Sequence, residues 1–394
     1  MKIDRSWQAR CGQSSPKFGA KHGMAGNSIG QVFRLTTYGE SHGAGLGGVI
    51  DGCPAGLKLD LAALQVEMDR RRPGQSNLVT PRDEADALQL LSGVFEGVTT
   101  GAPIAFHIPS KDAEPAAYDH LKDKFRPSHA DYTYTAKYGL RDHRGGGRAS
   151  ARETASRVAA GAIARQFLAA DSHAASGTAG VEVCAYVERV QGIAMHSPPQ
   201  FYSRINVDAH PMRCPDATTA LRMAGRVEQM RDAGDTVGGA IVMVARGVPV
   251  GWGEPVFDKI SAELARALWS IPAVKAMEIG SGFSGTLMRG SEHNDAFIPG
   301  EEGNPGHVST RSNNSGGIQG GISNGREIVV RLGFKPVATI RAEQDTVDIE
   351  GKAATVEGRG RHDPCVLSRA VPIVEAMALL VFADLALRNR SAKL

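Results

Sequence analysis

The sequence predicts a mixed α+β protein, built as one large interleaved unit with two similar α/β halves. Strand-like and helix-like segments alternate along the chain, no Pro/Ser-rich linker divides it, and one strand–turn–helix pattern occurs twice. With 394 residues, of which 42% are hydrophobic and 22% charged, the chain can bury a large core without disulfides or a structural metal.

The first copy of the repeated pattern lies near the amino terminus. The alternating stretch Gln31–Thr37 predicts a strand, and Gly47–Asp51 predicts a second one. A Gly-Cys-Pro-Ala-Gly turn at residues 52–56 then leads into a predicted helix over Leu61–Arg71.

The second copy lies in the second half of the chain. Gly238–Ile241 leads to a Gly-Val-Pro-Val-Gly turn at residues 247–251, and a helical stretch follows over Asp258–Ser270. This recurrence favours two similar halves, although a single G-x-P-x-G match also arises by chance.

Two longer helices are predicted outside the repeat. Ala149–Leu168 is rich in alanine and places Val158, Ile163 and Phe167 on a loosely apolar stripe, which predicts a core helix. The apolar stretch Ala370–Leu387 predicts the other.

The helix over Ala370–Leu387 is expected to carry Pro372 in its first turn, where a missing N–H costs nothing. Glu375 and Asp384 interrupt its apolar run, so we expect it not to cross a membrane.

The amino-terminal residues 1–23 hold five Lys/Arg against one acid and show no apolar periodicity, and Met24 is a plausible alternative start. We therefore expect an extension over 1–23 and a single domain over 24–394. The five cysteines include no C-x-x-C pair, which argues against a disulfide framework or a structural zinc and favours a reducing cytoplasm.

Charge is distributed unevenly along the chain. The net charge is only +3, which does not suggest a nucleic-acid or membrane-surface partner. However, the segment 126–157 carries seven Lys/Arg against three acids, and a second basic cluster, Arg70-Arg71-Arg72, ends the first predicted helix. A solvated helix face would explain the triple arginine alone, whereas two clusters in one Gly-rich half favour a small polyanionic ligand.

The motif Gly145-Gly146-Gly147-Arg148-Ala149-Ser150-Ala151-Arg152 predicts an anion site. Three glycines allow consecutive N–H groups to turn toward one point, and the following helix adds its positive end. Arg148 and Arg152 lie one turn apart, so both can reach one phosphate or carboxylate. The alternative is a flexible hinge before the helix.

Three further polar motifs are candidates for proton transfer. Ser41-His42 lies between a strand and a Gly-rich turn, and His129 precedes the basic segment; histidine is a natural proton donor near neutral pH. Each histidine is also compatible with a purely structural role. Asp363, followed by Pro364, is compatible with a simple helix N-cap.

Taken together, three motifs resemble the signatures of the chorismate synthase family: Gly39–Gly43 running to Asp51–Pro54, Gly147–Thr154, and Arg361–Cys365 running to Glu375-Ala376. The likeness extends from about Met24 to Arg390. It implies a β-α-β sandwich fold and a homotetrameric lyase of aromatic amino acid biosynthesis. The implied reaction is the trans-1,4-elimination of phosphate from 5-enolpyruvylshikimate 3-phosphate to chorismate, with reduced FMN and no net redox change.

The resemblance also implies roles for individual residues. His42 would protonate the departing phosphate, His129 would protonate the anionic reduced flavin, and Asp363 with Ser41 would tune and later deprotonate flavin N5. The substrate anions would be held by Arg71, Arg152, Arg157 and Arg361. The implied FMN contacts are Arg148, Ala149, Ser150, Pro272, Ala273, Gly320, Lys335, Pro336, Val337, Ala338, Thr339 and Arg361.

The chain departs from the family pattern at a few positions. Asn77 stands where many relatives have arginine, so Arg82 is a candidate replacement; Pro272 stands where relatives often have Asn, and Val337-Ala338 where they have a Ser/Thr pair. No added nicotinamide-binding domain is visible, which favours an external flavin reductant over reduction by the enzyme's own use of NADPH. Two other functions stay open from the residues alone, an RNA-binding surface and an ATP-dependent phosphotransferase.

Overall fold

Two five-stranded antiparallel sheets enclose a layer of helices. The computed structural model describes residues 26–76, 78–79, 84–111, 115–171, 180–300, 308–358 and 363–393. The expected extension over 1–23 and the candidates Asn77, Arg82 and Arg361 lie outside these residues.

The described strands and helices are as follows. The strands are β1 (Ser28–Ile29), β2 (Arg34–Gly39), β3 (Gly45–Asp51), β4 (Gln89–Leu90), β5 (Val94–Phe95), β6 (Val98–Thr99), β7 (Ile104–Pro109), β8 (Glu182–Val190), β9 (Ile193–Ala194), β10 (Gly239–Arg246), β11 (Val274–Ile279), β12 (Phe297–Pro299), β13 (Val308–Thr310), β14 (Ile318–Gln319), β15 (Ile322–Ser323), β16 (Ile328–Phe334), β17 (Gln344–Val347) and β18 (Ala353–Val356). The α-helices are α1 (Leu61–Arg71), α2 (Asp131–Tyr138), α3 (Thr154–Ala170), α4 (Arg204–Asp208), α5 (Ala217–Asp232), α6 (Ile260–Trp269), α7 (Gly290–His293) and α8 (Leu367–Asn389).

The layers follow from how the strands pair. One sheet has the order β1-β2-β3-β7-β4 and the other β11-β16-β10-β8-β9. Helix α3 packs on β2 and β3, α8 packs on β8 and β10, and α3 and α8 pack on each other. Alternate residues of β7 and of β16 are fully buried, as expected for sheets with one face on a core. The β-α-β sandwich implied by the sequence is therefore confirmed.

The repeated sequence pattern corresponds to a repeated structure. In the first half β3 lies between β2 and β7 and leads through a turn to α1; in the second half β10 lies between β8 and β16 and leads through a turn to α6. Gly52 and Gly247 open these turns with φ of +81° and +74°, a conformation that glycine adopts without steric cost. The prediction of two similar halves is confirmed.

The prediction of a strand over Gln31–Thr37 is wrong for residues 31–33. The backbone there forms a turn between β1 and β2 because the N–H groups of Gln31, Val32 and Phe33 all donate to Asp384 Oδ1, at 2.9, 2.7 and 3.0 Å. A side chain from α8 therefore replaces strand pairing, and no local pattern reveals this.

The helix predicted over Ala149–Leu168 begins later than expected, at Thr154. The residues before it form two short 3₁₀ turns, Gly147–Ala149 and Ala151–Glu153. Between them Ser150 adopts an extended backbone (φ −74°, ψ 142°) and accepts a hydrogen bond from Arg152 N. A serine that bonds its neighbouring backbone in this way competes with continuous helix.

Helix α8 begins earlier than predicted, so Pro372 lies inside the helix rather than in its first turn. The carbonyl of Ser368, which would otherwise accept a hydrogen bond from residue 372, accepts one from Arg213 Nη1 instead. The helix tolerates the proline because this guanidinium satisfies the carbonyl left without its backbone donor.

Helix α8 is long and apolar enough to cross a membrane by length and composition, but 94% of its apolar window is buried inside the protein. It is thus a core helix. The described cysteines, Cys53, Cys184, Cys214 and Cys365, are buried and carry free thiols.

Candidate active site

A cavity of about 390 Å³ opens at the amino-terminal ends of α3 and α8. We call it the main cavity. Its wall comes from these two helix ends, the end of α1, the loop after α6, the loop after β16 and the segment before α2. The lining includes Arg71, Tyr118, Arg126, Ser128, His129, Gly146, Ala149, Ser150, Thr154, Pro272, Ala273, Lys335, Pro336, Val337, Ala338, Thr339, Asp363 and Arg369.

The Gly-rich segment before α3 forms one side of the main cavity. Gly146, Ala149 and Ser150 line it, and Gly145 holds φ +87°. The consecutive 3₁₀ turns that follow argue against the hinge alternative, because this backbone makes regular local hydrogen bonds. The Gly-rich segment, for which the sequence predicts an anion nest, thus lies at the cavity.

His42 and Ser41 lie directly behind this wall. The His42 ring packs edge-on against Tyr118, with ring centroids 4.8 Å apart, and Tyr118 lines the main cavity. Ser41 is buried, and its Oγ accepts a hydrogen bond from Gly146 N at 3.3 Å. The Ser-His pair is therefore one side chain away from the cavity.

His129 is held at the cavity wall by two charged neighbours. Its Nδ1 lies 3.1 Å from Asp131 Oδ1 and 3.1 Å from Arg126 Nη2. Arg126 in turn donates from Nε and Nη2 to the two oxygens of Asp131, at 2.8 Å each. Burial alone would raise the pKa of Asp131. The hydrogen bonds from Arg126 and His129 outweigh that effect and hold the pKa of Asp131 far below its ordinary range. Asp131 is therefore a permanent anion that orients both side chains.

Asp363 lines the main cavity and is not the N-cap of α8, which starts only at Leu367. Its Oδ2 accepts a hydrogen bond from Arg369 Nη1 at 2.5 Å. Arg369 also donates from Nε to the carbonyl of Arg71 at 3.3 Å. The first turn of α8 thus supplies a guanidinium that fixes the carboxylate beside the cavity.

The triple arginine is not a solvated helix face. Arg70 and Arg71 are buried, and Arg70 points away from the cavity to Glu375, with Nη1 and Oε2 2.5 Å apart. Arg71 lines the main cavity. Only Arg72, whose side chain is 43% exposed, lies at the surface.

Arg71 and Arg152 meet on one buried carboxylate. Asp86 Oδ2 accepts from Arg71 Nη1 at 2.8 Å, and its Oδ1 accepts from Arg152 Nη1. Burial lowers the pKa of Arg71 to about 10; Asp86 opposes this shift, whereas the cations of Arg369 and Arg152 add to it. Arg152 thus lies behind Arg71 rather than in the lining.

The far side of the main cavity is mostly apolar. Pro272, Ala273 and the run Lys335–Thr339 line it, and the carbonyl of Val337 is anchored by Thr236 Oγ1 at 2.8 Å. Burial, with the nearby cation of Lys275, lowers the pKa of Lys335. An apolar wall beside several cations suits an aromatic ring that carries an anionic group.

Three predicted contacts lie elsewhere. The guanidinium of Arg148 donates to the carbonyl of Gly39 and to Thr37, and Arg157 pairs with Glu153. Both line a second cavity of about 470 Å³. Gly320, with φ +62°, lies in the turn between β14 and β15 and not among the residues lining the main cavity.

The structure adds residues that the motifs did not single out. Arg126 and Ser128 belong to the same short motif as His129, so their position beside a candidate histidine was an available signal. Arg369 follows Asp363 on the next helix, where the spacing alone gave no reason to choose it. Asp86 and Tyr118 carried no local signal, because only the tertiary fold brings them to the site.

The comparisons with known proteins agree with one another. A family model described as chorismate synthase matches residues 33–387. A chorismate synthase of Opitutus terrae is 55% identical over 91% of this chain and 96% of its own length. One of Synechococcus sp. strain WH7803 is 55% identical over 93% of this chain and 98% of its own length. A crystal structure of chorismate synthase superposes with a TM-score of 0.69 and 28% identity, covering 90% of this chain and 92% of the other.

Proposed function

The chain belongs to the chorismate synthase family, and on that premise we propose that the main cavity is its active site. The family reaction is the trans-1,4-elimination of phosphate from 5-enolpyruvylshikimate 3-phosphate, which gives chorismate for aromatic amino acid biosynthesis and requires reduced FMN. The protein is thus a lyase, and the RNA-binding and phosphotransferase alternatives fall away.

The residues of the main cavity fit FMN and a polyanionic substrate. FMN needs an apolar slot for its ring and a cation near its phosphate, and Pro272, Ala273 and Val337 with Lys335 offer both. The expected Ser/Thr pair is absent at Val337-Ala338, so contacts there are made by backbone and packing. When bound, reduced FMN supplies electron density to the breaking C–O bond and takes up the C6 proton.

The substrate carries one phosphate and two carboxylates, so its binding requires clustered cations. We assign this task to Arg71 and Arg126 in the lining, with Arg152 behind Arg71. The family resemblance adds Arg361, whereas Arg157, which it also implied, lies at the second cavity. The observation that carries the proposal is the convergence of Arg71, Arg126, His129 and Asp363 on one cavity at two helix amino termini.

Two histidines supply protons in this proposal. His42 donates a proton to the departing phosphate oxygen, which lowers the cost of the leaving negative charge. His129 holds a proton on its imidazole at the cavity wall, where Asp131 and Arg126 orient the ring. A negatively charged aromatic ring beside it is stabilised by that proton.

Asp363 and Ser41 take part in removing the proton that remains in the cavity after the elimination. Asp363 is the acceptor, and its carboxylate is oriented by Arg369. Ser41 lies behind Gly146 and accepts a hydrogen bond from the N–H of Gly146. Backbone groups of Arg148, Ala149 and Ser150 contribute the anion nest.

The deciding experiment is an anaerobic assay with photoreduced FMN and 5-enolpyruvylshikimate 3-phosphate, followed by stopped-flow absorbance. We expect chorismate and phosphate to form in equal amounts, and only with reduced flavin. Turnover with oxidised FMN and no reductant, or a strict requirement for magnesium and ATP, contradicts the proposal.

The proton roles are tested by His42→Ala and His129→Ala. Each should lower kcat by roughly 10²–10⁴. His196→Ala, an exposed histidine away from the main cavity, is the matched control and should leave kcat unchanged. Near-normal rates for both His42→Ala and His129→Ala remove these assignments.

We also propose that the enzyme works as a homotetramer. Phe283, Leu287 and Phe297 are 74%, 88% and 68% exposed in the single chain, which favours burial between subunits. Light scattering should give four times the 41.6 kDa chain mass, and a fully active monomer at assay concentration contradicts the assignment.

We further propose that residues 1–23 are not required for catalysis. The catalytic domain spans 24–394, so a variant that begins at Met24 should retain full kcat; a large loss assigns a role to 1–23.

Buried free thiols fit a reducing cytoplasm. The flavin reductant is external, so NADPH alone should not support turnover until a flavin reductase is added.

A further inference from the structure

Asp86 is a buried acid that touches two of the arginines assigned to the substrate. It is 1% exposed, and each of its carboxylate oxygens accepts a hydrogen bond from a different guanidinium, Arg71 on one side and Arg152 on the other. Although burial alone would raise it, Arg71 and Arg152 hold the pKa of Asp86 below its ordinary value of 3.8. Asp86 is therefore ionised.

The backbone at Asp86 is unusual as well. Its φ is +47°, a region that few residues other than glycine adopt and that aspartate tolerates better than most. Such conformations persist where the surroundings enforce them, and they concentrate at functional sites.

Charged side chains from several elements surround the guanidinium of Arg71. Asp86 is the anion in contact with it, Arg152 approaches from the turn before α3, and Arg369 approaches from α8. Glu84 lies 3.6 Å from Arg152, and Asp363 pairs with Arg369. Arg71 also donates to Thr154 Oγ1 and to the carbonyl of Ala151, at 3.3 and 3.1 Å.

This arrangement poses a physical problem that one carboxylate solves. Burying like-charged guanidiniums close together disfavours their charged forms. Asp86 offsets that repulsion and, by bonding both side chains at once, fixes where they point. Removing Asp86 leaves Arg71 between the cations of Arg152 and Arg369, with no other described acid in contact with it.

We propose that Asp86 is a positioning residue for substrate binding, which keeps Arg71 charged and directs it to the substrate anion through a shared contact with Arg152. This inference rests on the proposed function of the main cavity. It adds a residue that never touches substrate but sets the affinity for it.

The test is the affinity of Asp86→Asn for 5-enolpyruvylshikimate 3-phosphate as a function of pH. The enzyme is titrated calorimetrically from pH 7 to pH 9.5 without reductant, so no turnover occurs. We expect Kd to rise about ten- to hundredfold at pH 7 and to rise further toward pH 9.5. The reason is that the pKa of Arg71, about 10 in the intact site, falls once Asp86 is neutral.

The wild-type Kd should change much less over the same range, because a phosphate monoester is almost fully ionised above pH 7 and the intact Asp86 supports the charged form of Arg71. A Kd for Asp86→Asn that equals the wild-type value at every pH overturns the inference. If wild-type enzyme with reduced FMN makes no chorismate, it is the proposed function that fails instead.

Glu67→Gln is the matched control. Glu67 is a buried acid one turn before Arg71 that pairs with Arg70 at 3.2 Å and with Arg165 at 3.2 Å, and it does not line the main cavity. We expect its Kd to match the wild type at each pH. An equal loss in Glu67→Gln means that any buried acid of this region serves as well, which also overturns the inference.

Asp86→Glu keeps the charge but moves the carboxylate, and it carries the test if Asp86→Asn does not fold. We expect a raised Kd that does not change with pH, because the arginines are misdirected yet still charged. A wild-type Kd in this variant shows that the carboxylate's position does not matter and contradicts positioning.

Discussion

Gly145 lies against the side chains of the Ser-His pair. A Cβ at this position would overlap the ring of His42 and come within 2.9 Å of Ser41 Oγ. We expect Gly145→Ala to lower kcat by about a hundredfold, because small displacements of a catalytic group are costly. The anaerobic chorismate assay and a thermal melt measure the two effects separately.

Gly139→Ala provides the control for backbone strain. Gly139 has a similar left-handed φ of +71°, and nothing lies within 4 Å of a Cβ added there. Both variants should lose about 1 kcal/mol from the backbone conformation, but only Gly145→Ala should lose activity. Equal kcat values in the two variants show that Gly145 does not position His42.

The contribution of Asp131 to kcat can be tested in the same way. Its carboxylate holds Arg126 and His129, so Asp131→Asn should lower kcat by roughly ten- to hundredfold as the imidazole loses its orientation. Asp119→Asn removes the acid of a surface His-Asp pair, in which His143 Nε2 and Asp119 Oδ1 are 3.3 Å apart, and should leave kcat unchanged. The same small loss in both variants contradicts the role of Asp131.

At the scale of elements, the crossing of α3 and α8 brings both helix amino termini to one cavity. The crossing depends on Gly161, because a Cβ there would lie 2.5 Å from Ala376 Cα. We expect Gly161→Ala to lower the free energy of unfolding by about 1–3 kcal/mol through overpacking. Denaturant titration measures this change.

Gly225→Ala tests the same substitution in a helix that has room for it. Gly225 lies in α5, and nothing lies within 4 Å of an added Cβ. Here alanine should stabilise the protein by roughly 0.5–1 kcal/mol, since glycine is the weaker helix former. If Gly161→Ala is stabilising as well, the helices are not in close contact at this point.

At the scale of the whole molecule, buried carboxylates couple stability to pH. Glu375, in α8, pairs with Arg70 and Arg165, and although burial opposes it, these cations lower its pKa from the ordinary value of 4.5. The pKa values of Asp86 and Asp131 are lowered as well. Stability from such groups is fully present above their unfolded pKa values and is lost as pH falls below about 4.5.

We therefore expect the melting temperature to hold between pH 6 and 8 and to fall by roughly 5 °C or more by pH 3. The destabilisation caused by Glu375→Gln should shrink over the same range, because the carboxyl of the unfolded wild-type chain binds a proton at a higher pH than the paired carboxyl of the folded protein. Glu182→Gln, which removes a half-exposed partner of Arg246, should change neither value. A Glu375→Gln penalty that is constant from pH 7 to pH 3 contradicts this account.

Local patterns in the amino-acid sequence predict much of the molecule. The turn at 52–56 and the helix over Leu61–Arg71 were predictable because Asp60, Pro and Gly act locally, and the repeat predicted two halves. Three separated motifs identified the family, since catalytic chemistry restricts residue type at each position. His129, Asp363 and the Lys335–Thr339 run line one cavity, and the roles that the resemblance implied for them stay predictions.

The partners of individual side chains depend on the tertiary structure. Asp384 turns residues 31–33 away from strand pairing, Arg213 allows Pro372 inside α8, and Asp86 binds Arg71 and Arg152 together. It also directs Arg148 and Arg157 to a second cavity. Except for the Arg157–Glu153 pair, which is local, the physical reason is the same: a charged side chain's direction is fixed by a counter-charge or a backbone group distant in sequence, and a local pattern holds no information about that distance.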